Sequence, residues 1–165
     1  MLFRSKTATI KDTNDIGKKT RKGLRRLYAY QHDDGGWGWW KDDQTDAWMT
    51  AYVVDGLVQA QKAGYEVDDG RLSKGRDALK KMLKDGTDGR GDIGSDTRAY
   101  MAYALAESGD ADMQFVGALF NDRGKLGPYG RAFLALALHE RADKRASSVA
   151  ADIERSAKGS GAEAF

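Results

Sequence analysis

Apolar residues recur along this chain in two ways, and the two ways alternate. Over residues 15–31, Ile16, Leu24, Leu27 and Tyr28 are set among Lys18, Lys19, Arg21, Lys22, Arg25 and Arg26. That spacing predicts a helix with one dry and one wet face. Over 46–63 the run Ala47, Trp48, Met49, Thr50, Ala51, Tyr52, Val53, Val54 is apolar nearly all round, with charge at Asp55 and Lys62 before Gly64. A helix of this second kind has to be enclosed by others. The pair then returns. Leu72, Leu79, Met82 and Leu83 mark an amphipathic helix over about 69–84, and residues 99–106 give another apolar one that stops at Gly109. Met113, Phe115, Val116, Leu119 and Phe120 mark a short amphipathic helix, 132–138 a third enclosed one, and Val149, Ile153 and Ala157 a polar closing helix.

Roughly seven helices joined by short turns predict an all-α fold. Its architecture is a partial α/α toroid of antiparallel hairpins, with outer amphipathic and inner apolar helices alternating. The three enclosed segments align as small, aromatic and apolar repeats at uneven spacing, which reads as an imperfect helical repeat; chance likeness between alanine-rich helices is the competing account. Residues 15–158 form one helical domain of about half a toroid, with a poorly ordered leader over 1–14 and a flexible tail or truncation point over 159–165.

Composition narrows the chemistry more than the fold. The 165 residues hold 27 Lys and Arg against 25 Asp and Glu and no cysteine. A disulfide, a thiolate nucleophile and a cysteine zinc site are therefore excluded within the chain. Residues 1–10 carry only a short apolar pair, where a secretion signal needs an apolar run of about 7 to 15 residues. No apolar run reaches the roughly 20 residues of a membrane span. The basic run at 18–26 falls on the wet side of its helix without interleaved aromatics, so no nucleic-acid partner is expected.

All four tryptophans, Trp37, Trp39, Trp40 and Trp48, lie within 12 positions. A glycine-rich turn filled with indoles just before an apolar helix is a packing staple between hairpins. We assign that structural motif to Gln31, Gly35, Gly36, Trp37, Trp48 and Tyr52. Around it, Asp33, Asp34, Asp42, Asp43 and Asp46 form an acidic rim. Paired carboxylates beside indoles can serve glycoside cleavage or carbocation chemistry, but aspartates in turns and at helix starts more often cap backbone amides. His32 and His139 read as capping or surface residues, and 85–96, with Arg90 where a calcium loop needs glycine, as a solvated hairpin loop. No catalytic residue, metal site or cofactor is expected.

Gln31, Gly35 and Trp37 resemble the Gln-Trp motif of the terpenoid cyclase and protein prenyltransferase toroids. The block from Asp34 to Trp40, the run from Asp46 to Leu57, and then 63–67 are more similar to the thioester-containing domain of alpha-2-macroglobulins and complement proteins, the bacterial ones above all. Residues 96–100 and 126–134 resemble later hairpins of that domain. The resemblance implies a helical scaffold in a periplasmic or cell-surface protease-trapping protein. Its partners would be proteases, met by the full-length parent, and other macroglobulin-type domains of the same chain. The Cys-x-Glu-Gln thioester of that family is absent from this chain and would lie upstream of Met1, or the parent would lack one. Some relatives place a histidine after the third helix to speed transfer to hydroxyls; 85–96 has none, which implies amine nucleophiles. An open edge of inner helices implies self-association of the isolated chain. The alternative, from another class, is a toroid enzyme (lyase, glycosidase or cyclase-like) working through the acidic rim.

Overall fold

The computed structural model describes residues 10–161, and side chains over 15–158. Seven α-helices account for most of it: α1 (Ile10–Ala29), α2 (Ala47–Lys62), α3 (Asp69–Asp85), α4 (Ser95–Glu107), α5 (Met113–Asn121), α6 (Pro128–Glu140) and α7 (Arg145–Gly161). Between α3 and α4 sits a hairpin of two-residue strands, β1 (Thr87–Asp88) and β2 (Gly91–Asp92), paired antiparallel. A 3₁₀ turn, Arg123–Lys125, joins α5 to α6. The fold is all-α in class. The leader expected over 1–14 and the tail over 159–165 lie outside the residues whose side chains are described; backbone helix is described from Ile10 and as far as Gly161.

Local chemistry sets the helix ends. Asp46, Asp68 and Asp112 sit at the N-caps of α2, α3 and α5, and their carboxylates accept first-turn N–H groups. Those donors have no partner within the helix. Pro128 opens α6, where its missing N–H is not needed. α3 ends at Gly86 in the left-handed region.

The helices α2, α4 and α6 pack side by side as an inner row with α4 in the middle, and α3, α5 and α7 lie against that row. Two apolar clusters result. One gathers Leu24, Trp37, Val54, Leu57, Leu79 and Met101; the other gathers Val116, Leu134, Leu138 and Val149. In one respect the arrangement corrects the sequence. The inner helices are not covered all round: Trp48 is 39%, Tyr52 61%, Tyr129 77% and Leu136 42% exposed. Helical periodicity marks a face as apolar without saying what covers it. Among the described residues the outer helices cover only one side of the row.

Candidate functional site

The tryptophan turn is a dense polar junction. Trp37 is 2% exposed, and its indole Nε1–H donates to the carbonyl of Leu27 near the end of α1 at 2.8 Å. Its backbone N–H donates to Thr50 Oγ1 at 3.0 Å, and its carbonyl accepts from the Asp46 N–H at 3.0 Å. The fully buried Thr50 hydroxyl passes its own proton to the Asp46 carbonyl at 2.8 Å. Gln31 Nε2 bridges the carbonyls of Gly35, at 2.8 Å, and of Arg71 in α3, at 2.9 Å. One turn thus touches α1, α2 and α3.

Its glycines are there for space and for backbone geometry. Gly35 has φ +90°, and a Cβ on it would stand 2.6 Å from the Lys74 carbonyl oxygen. A Cβ on Gly36 would stand 2.4 Å from Thr45 Cγ2. Neither site admits a side chain without movement.

The acidic rim is largely spent on this junction. Asp34 Oδ1 accepts the Gly36 N–H at 3.0 Å and the Thr45 hydroxyl at 2.9 Å. With that hydroxyl proton committed, His32 Nδ1 is the donor in its 2.8 Å contact with Thr45 Oγ1. Asp46 caps α2, and Asp43 Oδ2 accepts the Trp39 N–H at 3.1 Å. Arg90 then reaches across from the β1–β2 hairpin to Asp43 Oδ2 at 2.8 Å and Asp46 Oδ2 at 3.2 Å. From the same hairpin Asp88 accepts the Ala47 N–H at 2.9 Å, and the Gly89 N–H donates to the Thr45 carbonyl at 3.1 Å. The segment read as a solvated loop is therefore docked on the rim, although most of its residues stay exposed. Asp33 and Asp42 are exposed. A carboxylate that works on a substrate must keep an oxygen for it; here Asp34 Oδ1, Asp43 Oδ2 and both Asp46 oxygens face backbone amides, the Thr45 hydroxyl and a guanidinium, and Asp43 Oδ1 is buried without a hydrogen-bond partner among the described residues. Among the described residues no group of three or more acidic or histidine side chains is placed to hold a metal ion.

The open side of the inner row carries a second constellation. Trp48 lies with its ring centroid 4.7 Å from that of Tyr100, which stacks at 4.4 Å on Phe133; Tyr103 stacks at 6.0 Å on the same Phe133. Tyr52, one turn after Trp48, lines a cleft of about 510 Å³ with Leu24, Leu27 and Ala60. Next to the rings, the Tyr100 hydroxyl donates to Asp55 Oδ2 at 3.2 Å. Glu107, its side chain 3% exposed, takes Lys62 Nζ at 3.0 Å and a close contact from Gln59 Nε2 on one oxygen, while the other finds no donor. Burial first, then a hydrogen bond and like charge from Glu107, push Asp55 up to about 6. Burial and then the Asp55 charge push the Tyr100 phenol up, and burial and then Glu107 push Tyr103 up to about 12.

The family model described as the A-macroglobulin TED domain matches residues 2–89, more than half of the chain. The chain belongs to this family. Over 70 residues, 42% of its length, it is 48% identical to the alpha-2-macroglobulin of Thermotoga maritima, of which the match covers 5%. Native Escherichia coli alpha-2-macroglobulin, in a structure spanning domain MG7 to the C-terminus, matches 85% of the chain at 26% identity with a TM-score of 0.75; the chain covers 24% of that structure. The trypsin-activated form of the E. coli protein matches 82% of the chain at 27% identity with a TM-score of 0.71, and 10% of it is covered. The chain therefore spans only a small part of its macroglobulin relatives.

Mapped on the TED fold, the family match holds α1, α2, α3 and the whole tryptophan turn, and stops in the β1–β2 hairpin. The structure brings Gln31, Gly35, Gly36 and Trp37 into one junction; Trp48 and Tyr52 belong instead to the open inner face. Sequence reasoning missed Thr50 and Thr45, and the docking of Asp88 and Arg90. A threonine inside an apolar helical run looks like one more β-branched filler. The ion pair from Arg90 to Asp43 spans 47 positions, with no local pattern to mark it.

Proposed function

We propose that this chain is part of the helical scaffold of a thioester-type domain in a bacterial alpha-2-macroglobulin-like protease-trapping protein, acting in the periplasm or at the cell surface. In this reading it is no enzyme. Its partners are the other macroglobulin-type domains of the same protein and, through the full-length molecule, proteases. The match of the TED family model over residues 2–89 carries the reading. A second observation supports it: native and trypsin-activated forms of the E. coli relative both align with most of the chain. A unit that keeps its fold across activation suits a scaffold. Gln31, Gly35, Gly36 and Trp37 serve as the staple that joins the first hairpins, and the acids around them as caps and counterions.

The direct test is on the full-length protein, incubated with trypsin. A trap leaves the protease active on a small chromogenic peptide while cutting its activity on a large protein substrate. Trypsin equally active on both would overturn the reading. If a thioester is present, the lack of histidine in 85–96 favours amines, so methylamine should be incorporated ahead of glycerol; glycerol ahead of methylamine would refute that preference. The exposed side of the inner row is an apolar face of the kind that finds a partner. In the isolated chain that partner is a second copy, so light scattering should give a mass that rises with concentration, and a constant monomer mass would contradict this.

A further inference from the structure

Away from the tryptophan turn, the 3₁₀ turn, α6 and α7 border an open cleft of about 640 Å³ lined by Arg123, Gly124, Arg131, Asp152, Arg155 and Ser156. Three guanidinium groups arrive from three separate elements, against one carboxylate. Arg123 Nε donates to Asp152 Oδ2 at 3.1 Å, and Arg155 makes a close contact with the other oxygen. Hydrogen bonding from Arg123 first, and then from Arg155, holds Asp152 below the usual carboxylate range, so it stays ionised. Among the described residues, three positive charges and one negative leave the cleft with a surplus of two.

The arginines are held in place without being used up. Arg123 also donates to the Phe120 carbonyl at 3.0 Å and lies 4.3 Å over the Phe120 ring. Arg131 donates to Ser156 Oγ at 3.2 Å, and Arg155 Nε to the Ala151 carbonyl at 3.4 Å. A guanidinium has about five N–H donors, and no arginine here spends more than two of them. Planar forks of this kind match the oxygens of phosphate two at a time. The volume exceeds that of a free ion and leaves room for what the phosphate is attached to. A nucleic-acid strand would need a longer cationic track and aromatic faces for its bases, and among the described residues no aromatic side chain lines the cleft.

We propose that this cleft binds a phosphate-type anion, a phosphate monoester or pyrophosphate, between Arg123, Arg131 and Arg155. The site is independent of the protease-trapping reading. Pyrophosphate titrated into the full chain at constant ionic strength should give saturable heat, and saturable NMR shifts at the Gly124 and Ser156 amides. Arg131→Gln and Arg155→Gln, which leave the Arg123–Asp152 pair intact, should each weaken binding several-fold and together about tenfold or more; Lys18→Gln with Lys22→Gln on α1 should leave it unchanged. Vesicles carrying a phosphate-monoester lipid identify the source: recruitment, lost in the double arginine variant, assigns the phosphate to a headgroup, and pyrophosphate binding without recruitment assigns it to a soluble ester. Either outcome supports the site. Shifts that never saturate, shifts spread over the basic face of α1, or a double arginine variant that titrates like the parent would overturn it.

Discussion

Around Trp37, helices α1, α2 and α3 meet through directional bonds: the indole to Leu27, Thr50 to the Trp37 and Asp46 backbones, Gln31 to Gly35 and Arg71. Around Leu134 and Leu138, helices α4 to α7 meet through aliphatic contact, and polar bonding is pushed out to arginine–aspartate pairs such as Arg123 with Asp152 and Arg145 with Asp143. Both clusters exclude water, so both gain from burial. They differ in what fixes geometry. A buried donor that misses its acceptor costs about 1 to 3 kcal/mol, so the first cluster tolerates one arrangement of its hairpins, whereas aliphatic packing tolerates small slides.

The largest effect that tests this contrast is truncation of the central side chain in each cluster. Trp37→Ala removes a buried indole and its bond to the Leu27 carbonyl, which keeps only the Tyr30 N–H at 3.1 Å, and should cost about 3 to 5 kcal/mol or unfold the chain. Leu138→Ala should stay nearer the lower end of the 2 to 5 kcal/mol usual for such truncations. Denaturant melts of the two variants decide the matter, and a costlier Leu138→Ala would break the contrast. Next in size are the glycines. A Cβ on Gly75 would stand 2.8 Å from the Trp37 ring, so Gly75→Ala should destabilise by about 1 to 3 kcal/mol. Gly117 in α5 meets only a flexible Arg145 tip at 3.6 Å, so Gly117→Ala should instead stabilise by about 0.5 to 1 kcal/mol.

A further small effect is one of pH. Asp55 is raised from 3.8 to about 6 in the folded chain, so over that window the folded state holds a proton that the unfolded state has lost. Stability from this group is fully present below pH 3.8 and is lost as pH rises through 6. Asp55 is itself only half-buried, so the loss should be only about 1 kcal/mol. Asp55→Asn should flatten that part of the pH–stability curve, and an unchanged slope would remove Asp55 and Glu107 from the account.

The same contrast governs what could be read from the chain. Helix identity, the inner and outer alternation, the stops at Gly64 and Gly109 and the capping reading of Asp46 rest on local spacing, and they were legible; the caps at Asp68 and Asp112 came from the structure. The contacts that give the tryptophan turn its geometry were not legible. Thr50 meets Trp37 across 13 positions, and Asp88 reaches Ala47 across 41. Periodicity also could not tell an enclosed face from an open one, so the exposure of Tyr52 and Tyr129 emerged only in three dimensions. Nothing in the sequence links Arg123, Arg131 and Arg155, because only the packing of α6 and α7 brings them to one cleft.

Native-state hydrogen exchange tests the central claim most directly, because it reads the stability of each junction in one experiment. The account predicts that the Trp37 indole N–H and the backbone N–H groups of Trp37, Asp46 and Thr50 exchange only through global unfolding, while amides of α7 open at lower free energy. Exchange of the Trp37 and Thr50 protons faster than those of α7 would contradict it.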